Sequence, residues 1–230
     1  LIWLHGASLG EIVSATSLSI GLREVGFKGK ILITSGTITS SYFLKKNKDI
    51  IHQYHPLDNR KWVNRFLNFW KPDILIMVES EIWPNFIICS KNKKIPIILA
   101  SAQVSDSSFK RMSKIGYDNT NFLFSQIDQI FTTDENQTRK FKLMGADKVS
   151  TSQSLKVSLP PTLPDKNLIK KFQNISSQRT IVLAASTREH EEEILINCVK
   201  KLNQESFKIL LIIAPRHIKR SSIISKLSKP

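Results

Sequence analysis

The sequence is short of the groups from which disulfide and metal sites are built. Its 230 residues include two cysteines, Cys89 and Cys198, neither of which belongs to a CxxC or Cys/His ligand pattern. That excludes a disulfide framework and points to buried thiols in a reducing compartment. The five histidines show no helical ligand pair. His52 and His55 stand three apart, but Pro56 beside them argues against a shared helix. No metal site and no cofactor are expected. No apolar run reaches the roughly 18 residues of a spanning helix. GxxxxGK[ST], GxGxxG, HExxH and GxSxG are all missing, as are short repeats and low-complexity tracts. Negative charge is also scarce: 19 acidic against 34 basic residues, a net charge of +15. Such a field attracts nucleic acid, anionic lipid or phosphorylated substrates without choosing among them. A nucleic-acid-binding module rests on charge alone, because no interleaved aromatic and basic surface motif supports it.

What is present is a core and a strand–helix alternation. Hydrophobic residues make up 41% of the chain, enough for one large domain or two small ones. The organising stretch is Leu1–Glu11, LIWLHGASLGE. Leu1–Leu4 reads as a buried parallel strand that breaks at His5-Gly6. Ser8 can cap a helix starting near Leu9, with Ile12, Val13, Ala15 and Leu18 turned inward. Glu11 then falls in the first helical turn, beyond the carboxyl end of a strand, the edge at which open α/β sheets bind ligands. Two readings stay open: a carboxylate favoured by the helix N-terminus, or a general base aimed into a cleft.

Further strands are expected at 30–34, 52–54, 74–78, 95–100, 129–132 and 148–151. Ser35-Gly36-Thr37 follows the second, and could offer backbone N–H groups to an anion or form a plain turn and cap. Pro56-Leu57-Asp58 precedes a helix over 59–70 with Val63, Phe66, Leu67 and Trp70 on one face. Glu79-Ser80-Glu81-Ile82-Trp83-Pro84-Asn85 leaves a strand end with two carboxylates that can divide roles, and Pro84 suits the first turn of the next helix. Lys110, Arg111 and Lys114 form a basic patch. Thr133-Asp134 is expected to cap a helix over 135–144, closed by Gly145. Pro160, Pro161 and Pro164 mark a linker within 156–166. Beyond it, strands at 180–184 and 208–214 flank a helix over 189–202 carrying Ile194, Ile196, Val199 and Leu202. Ser186-Thr187 reads as a phosphate-compatible cap, and Pro215-Arg216-His217 follows the second strand. The alternation implies α/β architecture with parallel sheets in both units. The chain opens on Leu1 and stops at Lys229-Pro230 inside an expected helix, so it reads as a segment of a longer protein whose remaining ends could carry an anchor or signal.

In order and spacing, HGASLGE (5–11), PLD (56–58), ESEIWPN (79–85), SLK (154–156), AASTREHEEE (184–193) and PRHIKR (215–220) resemble the Kdo transferases. These enzymes move 3-deoxy-D-manno-oct-2-ulosonic acid (Kdo) from CMP-Kdo to a lipid A precursor, lipid IVA, in lipopolysaccharide core biosynthesis. The resemblance implies a GT-B fold of two Rossmann-like lobes: an acceptor lobe over 1–160, then, over 161–230, a linker and the first part of a CMP-Kdo-binding lobe left incomplete. It implies metal-independent, inverting transfer at the cytoplasmic face of the bacterial inner membrane, with the anionic surface and the lipid A precursor as partners. It assigns Glu11 as proton acceptor, Glu81 and Lys156 as transition-state stabilisers, and Pro215 and Arg216 as part of the CMP site. Ser8, Gly10, Ser35, Gly36, Thr37, Ser186 and Thr187 are further substrate-contact candidates. Gln103, Ser101, Gln153, Arg188 and His190 depart from the family pattern, which bears on the donor loops. Another GT-B enzyme, such as a nucleotide-sugar epimerase, is the main enzymatic alternative.

Overall fold

A computed structural model describes residues 1–45, 47, 49–158 and 165–228. The chain divides into two compact units, Leu1–Pro160 and Pro161–Pro230. The first holds a seven-stranded, all-parallel sheet: β1 (Ile2–His5), β2 (Ile31–Ser35), β3 (Ile51–Tyr54), β4 (Ile74–Val78), β5 (Ile97–Ala102), β6 (Gln129–Thr132) and β7 (Val149–Thr151). Their spatial order is β3-β2-β1-β4-β5-β6-β7. The order reverses between β1 and β4, so the crossover helices diverge there and leave a crevice beyond the carboxyl ends of those two strands. Helices α1 (Leu9–Glu24), α2 (Ile38–Leu44), α3 (Arg60–Trp70), α4 (Pro84–Asn92), α5 (Asp106–Ile115), α6 (Tyr117–Phe124) and α7 (Glu135–Leu143) cover the sheet.

The strands read as continuous apolar runs because both faces are buried, and period-two alternation sends successive side chains to opposite layers. One layer joins Trp3, Leu32, Leu75, Met77, Ile97 and Leu99 to Val63, Phe66 and Leu67 of α3 and to Phe86 and Ile87 of α4. The other joins Ile2, Leu4, Ile31, Ile33, Ile76 and Val78 to Ile12 and Ala15 of α1. Val13 and Leu18, also expected inward, are only half-buried.

Several boundaries move for identifiable reasons. β5 begins at Ile97 because Pro96 has no N–H for the ladder. It runs on to Ala102 through a register irregularity after Leu99, with Ser101 at φ 53. The stretch holding the basic patch is a pair of helices, α5 and α6, divided at Gly116 with φ 101. Thr37 caps α2 by accepting from the Ser40 N–H at 3.2 Å, so that turn is a helix cap.

In the second unit, β8 (Thr180–Thr187) and β9 (Ile209–Pro215) pair in parallel, with α8 (Lys166–Ser176), α9 (Glu191–Gln204) and α10 (Ser221–Leu227). α8 was not expected; Asp165 caps it, accepting from the Asn167 N–H at 2.8 Å. On α9, Ile196 is buried, Val199 and Leu202 are half-buried and Ile194 is exposed. The linker prolines Pro160, Pro161 and Pro164, and the closing Lys229-Pro230, lie outside the described residues.

One long-range cap ties PLD to WPN. Trp83 precedes α4 but supplies no capping side chain. Asp58 does so instead, accepting from the Asn85 N–H at 3.0 Å and the Phe86 N–H at 3.2 Å, while the Asn85 amide donates back to the Asp58 carbonyl at 2.9 Å. Asp58→Ala is expected to lower stability by about 1–2 kcal/mol, on the scale of lost helix caps. The denaturation midpoint checks it, and an unchanged midpoint contradicts the role.

Candidate active site

The site is built where β1 and β4 end. β1 delivers His5, and the chain then turns through Gly6 so tightly that a Cβ there would stand 2.7 Å from the Glu11 Cβ. Gly36 permits the matching approach from β2: its N–H donates to the Ala7 carbonyl at 3.0 Å, and a Cβ there would meet the His55 ring at 3.1 Å. Ser8 begins α1 with a capping box. Its hydroxyl accepts from the Glu11 N–H at 3.4 Å, and its own N–H donates to Glu11 Oε2 at 2.6 Å. The structural reading of Glu11 is therefore realised, and it engages one carboxylate oxygen. Gly10 lies one residue before, its carbonyl accepting from the Ser14 hydroxyl at 3.4 Å.

β4 delivers the other two carboxylates. Glu79 sits at φ 63, a left-handed conformation that swings the chain off the strand. Its side chain is held by the Ser14 hydroxyl at 2.8 Å and the Lys156 ammonium at 2.9 Å. Lys156 reaches it from a short 3-10 turn, Leu155–Ser158, which Ser101 anchors by accepting the Leu155 N–H at 2.9 Å. Lys156 thus pairs with Glu79, the first of the two carboxylates expected at this strand end, and Glu81 is held by other partners. The Glu81 carboxylate accepts from the Trp83 indole N–H. It also lies 3.3 Å from Nε2 of His5, a fully buried ring. Trp83, His55 and Phe86 pack around that ring edge-on or tilted.

These surroundings separate the acids. Burial pushes the Glu11 carboxyl above the ordinary range, and the negative charges of Glu81 and Glu79 add to it, against the opposing Ser8 hydrogen bonds. Burial pushes Glu81 upward too. There it is outweighed by the donors His5 and Trp83, the charge interaction with His5 and a hydrogen bond from the Glu11 carboxyl, so Glu81 is held below the ordinary range. One crevice therefore holds a strengthened base and a stabilised carboxylate, the division of labour that acid–base sites use. His5 and Trp83 were missed by sequence reading. The available signal was their position: one closes a buried strand before a glycine, the other precedes the helix-starting Pro84.

Ser35 and Thr37 lie at the β2 end, where the Ser35 hydroxyl meets His52 Nε2 at 2.9 Å. In the second unit, Ser186, Thr187, Pro215 and Arg216 share one carboxyl edge: Thr187 pairs with Pro215, and the Arg216 N–H donates to the Thr187 carbonyl at 2.9 Å. The expected cap at Ser186-Thr187 is corrected. Both close β8, Ser186 at φ 60, and α9 starts after His190. The strand runs on because the buried Thr187 hydroxyl donates to Glu192 at 3.3 Å. Arg220 grips the same carboxylate with a two-pronged fork at 2.9 and 3.1 Å. The Arg216 side chain is exposed. Among the described residues, no group of three or more His, Cys, Asp or Glu is arranged to hold a metal ion, and no helix is long and apolar enough to cross a membrane.

In solved structures the chain is similar to a UDP-GlcNAc 2-epimerase from Neisseria meningitidis bound to UDP-GlcNAc (TM-score 0.68, 13% identity, 99% of this chain and 68% of that one). It is also similar to a glycosyltransferase from Rickettsia africae (TM-score 0.62, 16% identity, 98% and 64%). At such identities the likeness speaks to the GT-B-type α/β fold alone. By sequence it is 31% identical to the 3-deoxy-D-manno-octulosonic acid transferase of Rickettsia bellii over 96% of this chain and 53% of that protein. With the Haemophilus influenzae enzyme of the same name it is 30% identical over 99% and 54%. The chain spans about half the length of these relatives. The pattern described as 3-deoxy-D-manno-octulosonic-acid transferase (kdotransferase) matches residues 1–159, and the chain belongs to that family.

Proposed function

We propose that the protein is an inverting transferase that moves Kdo from CMP-Kdo onto a hydroxyl of a lipid A precursor, with Glu11 taking the proton. The observation that carries this reading is the crevice beyond β1 and β4, where Glu11, held in the Ser8 capping box, shares the site with Glu81, held against Trp83 and His5. In the step, the acceptor oxygen bonds to the anomeric carbon as the bond to the CMP phosphate oxygen breaks. The acceptor's proton passes to Glu11, and CMP leaves as an anion. Positive charge grows on the sugar ring, so a fixed carboxylate nearby lowers the barrier. Glu81 fills that role, and Lys156 supplies the balancing cation on the far side of Glu79. Pro215 and Arg216 are the residues for CMP, since a guanidinium fork suits phosphate oxygens. Ser8, Gly10, Ser35, Gly36 and Thr37 border the crevice; Ser186 and Thr187 border the Arg216 edge.

The reading needs no metal. The excess of Lys and Arg favours an anionic cytoplasmic membrane surface and a phosphorylated lipid. Lys110, Arg111 and Lys114 lie exposed on α5 for that purpose. An epimerase reading has the shared fold behind it, whereas the pattern matched over residues 1–159 is that of the Kdo transferases.

Glu11→Gln in the full-length protein, assayed with CMP-Kdo and lipid acceptor by product mass, is expected to lower turnover about 100-fold or more, as for loss of a general base. CMP-Kdo binding should stay near normal, and a variant that keeps most of its turnover overturns the role. The pH profile gives a second check. A base must be ionised to work, so the rate should fall as pH drops through the raised Glu11 value. Glu81→Gln removes one of the charges that raise it, and should move that acid limb to lower pH. A limb that stays put or moves upward contradicts the coupling.

A further inference from the structure

His5 is fully buried and titratable, and the transfer step as drawn gives it no task. We infer that His5 is a positioning residue, locked by the chain Trp3–Thr34 as a neutral imidazole with its proton on Nε2, and that this N–H holds Glu81 as an anion opposite Glu11. The inference deepens the reading of Glu11 as base and rests on it for its catalytic meaning.

The Thr34 hydroxyl on one side and the Glu81 carboxylate on the other together select the tautomer. The Trp3 indole can only donate, and it donates to Thr34 Oγ1 at 2.8 Å. Thr34 has one hydroxyl proton to place. Two acceptors are in range: the Leu4 carbonyl at 3.5 Å and Nδ1 of His5 at 2.9 Å. The shorter contact takes the proton, so Nδ1 is the bare, accepting nitrogen and Nε2 carries the hydrogen. The opposite tautomer would send the Nδ1 proton to the second lone pair of the Thr34 oxygen and leave the Thr34 proton only the Leu4 carbonyl at 3.5 Å, the limit of hydrogen-bond length. It would also turn the bare Nε2 lone pair at a Glu81 oxygen 3.3 Å away. That separation is off the direction of an ideal hydrogen bond, so the neutral ring acts on Glu81 through its N–H dipole, and the contact can tighten as substrate docks.

The neutral form follows from the surroundings. The titratable groups facing the ring are Glu81, from the β4–α4 loop, and His55, just beyond β3, whose ring stands edge-on at 5.4 Å. Glu11 connects to it through Glu81. The Thr34 hydroxyl and the rings of Trp3, Trp83 and Phe86 also stand around the imidazole. Burial outweighs the attraction of Glu81 and lowers the imidazole below its ordinary 6.5, with His55 adding to the fall. A neutral N–H donor stabilises the Glu81 anion without adding a second mobile proton to the pair.

The test uses the full-length protein with 15N-labelled histidine, its His5 signals identified by their loss in His5→Gln. The expected spectrum shows a protonated Nε2 and a bare Nδ1 at about pH 7 to 8, since the bond at one ring nitrogen dictates the state of the other. Two variants then read function. His5→Phe is expected to lower kcat about tenfold or more, the scale seen when an outer residue that orients a functional ligand is lost, with KM little changed. The acid limb of its kcat/KM profile should move to higher pH, because Glu81 without its donor holds the shared proton more tightly. His5→Gln, which offers an N–H in a similar place, should restore most of kcat and the wild-type limb. A protonated Nδ1, or an imidazolium at pH 7, overturns the inference, as does a His5→Phe limb that coincides with wild type. Should Glu11→Gln keep its turnover while His5 shows the expected tautomer, the reading of Glu11 falls and the locked ring stands.

Discussion

Everything at the candidate site follows from the parallel pairing of β1 with β4, in which His5 lies beside Met77. That pairing is the point where the strand order reverses, so the two following connections leave in opposite directions and cannot fill the space between them. The crevice is then furnished from both sides by the first residues past the strands: Glu11 on α1, and Glu79 and Glu81 in the β4–α4 loop. The price of this geometry is close approach, which Gly6 and Gly36 meet by having no side chain where Glu11 and His55 stand.

Three carboxylates in one crevice repel one another, and the structure answers each differently. Glu79 receives a cation and a hydroxyl. Glu81 receives an indole N–H and a buried imidazole. Glu11 receives a backbone N–H and the Ser8 cap, less than burial and its neighbours' charge demand, so it is the one whose proton affinity rises. The acid with the least compensation is also the one placed in the first turn of a helix. A base is thereby made by withholding partners from one acid while supplying them to the others.

Much of this was legible in the sequence. Apolar runs such as Ile74–Val78 announce buried parallel strands, and Ser8 with Glu11 three residues on is a capping box in plain text. Asn59, Pro84 and Asp134 stand at the helix starts they were expected to mark. What was not legible depends on contacts distant in sequence. Nothing near Lys156 reveals that its partner is Glu79, 77 residues away, or that Ser101 anchors its turn. Asp58 reads as a turn residue until α4 is seen resting on it. Thr187 looked like a helix cap because its hydroxyl invites that role, yet it serves Glu192 and Arg220 holds that carboxylate in turn. His5 was passed over because a histidine ending an apolar strand carries no spacing signal; its meaning comes from Thr34 and Glu81, one strand to either side.

The central claim is that the environment, and not residue type, sets Glu11 apart from Glu81. The most direct measurement is a titration of the two side-chain carboxyl carbons by 13C NMR in the full-length protein, with each signal assigned by its Glu→Gln variant. The account predicts that Glu11 gains its proton at a pH above the ordinary carboxylate value of 4.5 and Glu81 at a pH below it. Titration in the reverse order, or of both groups together at the ordinary value, would contradict it.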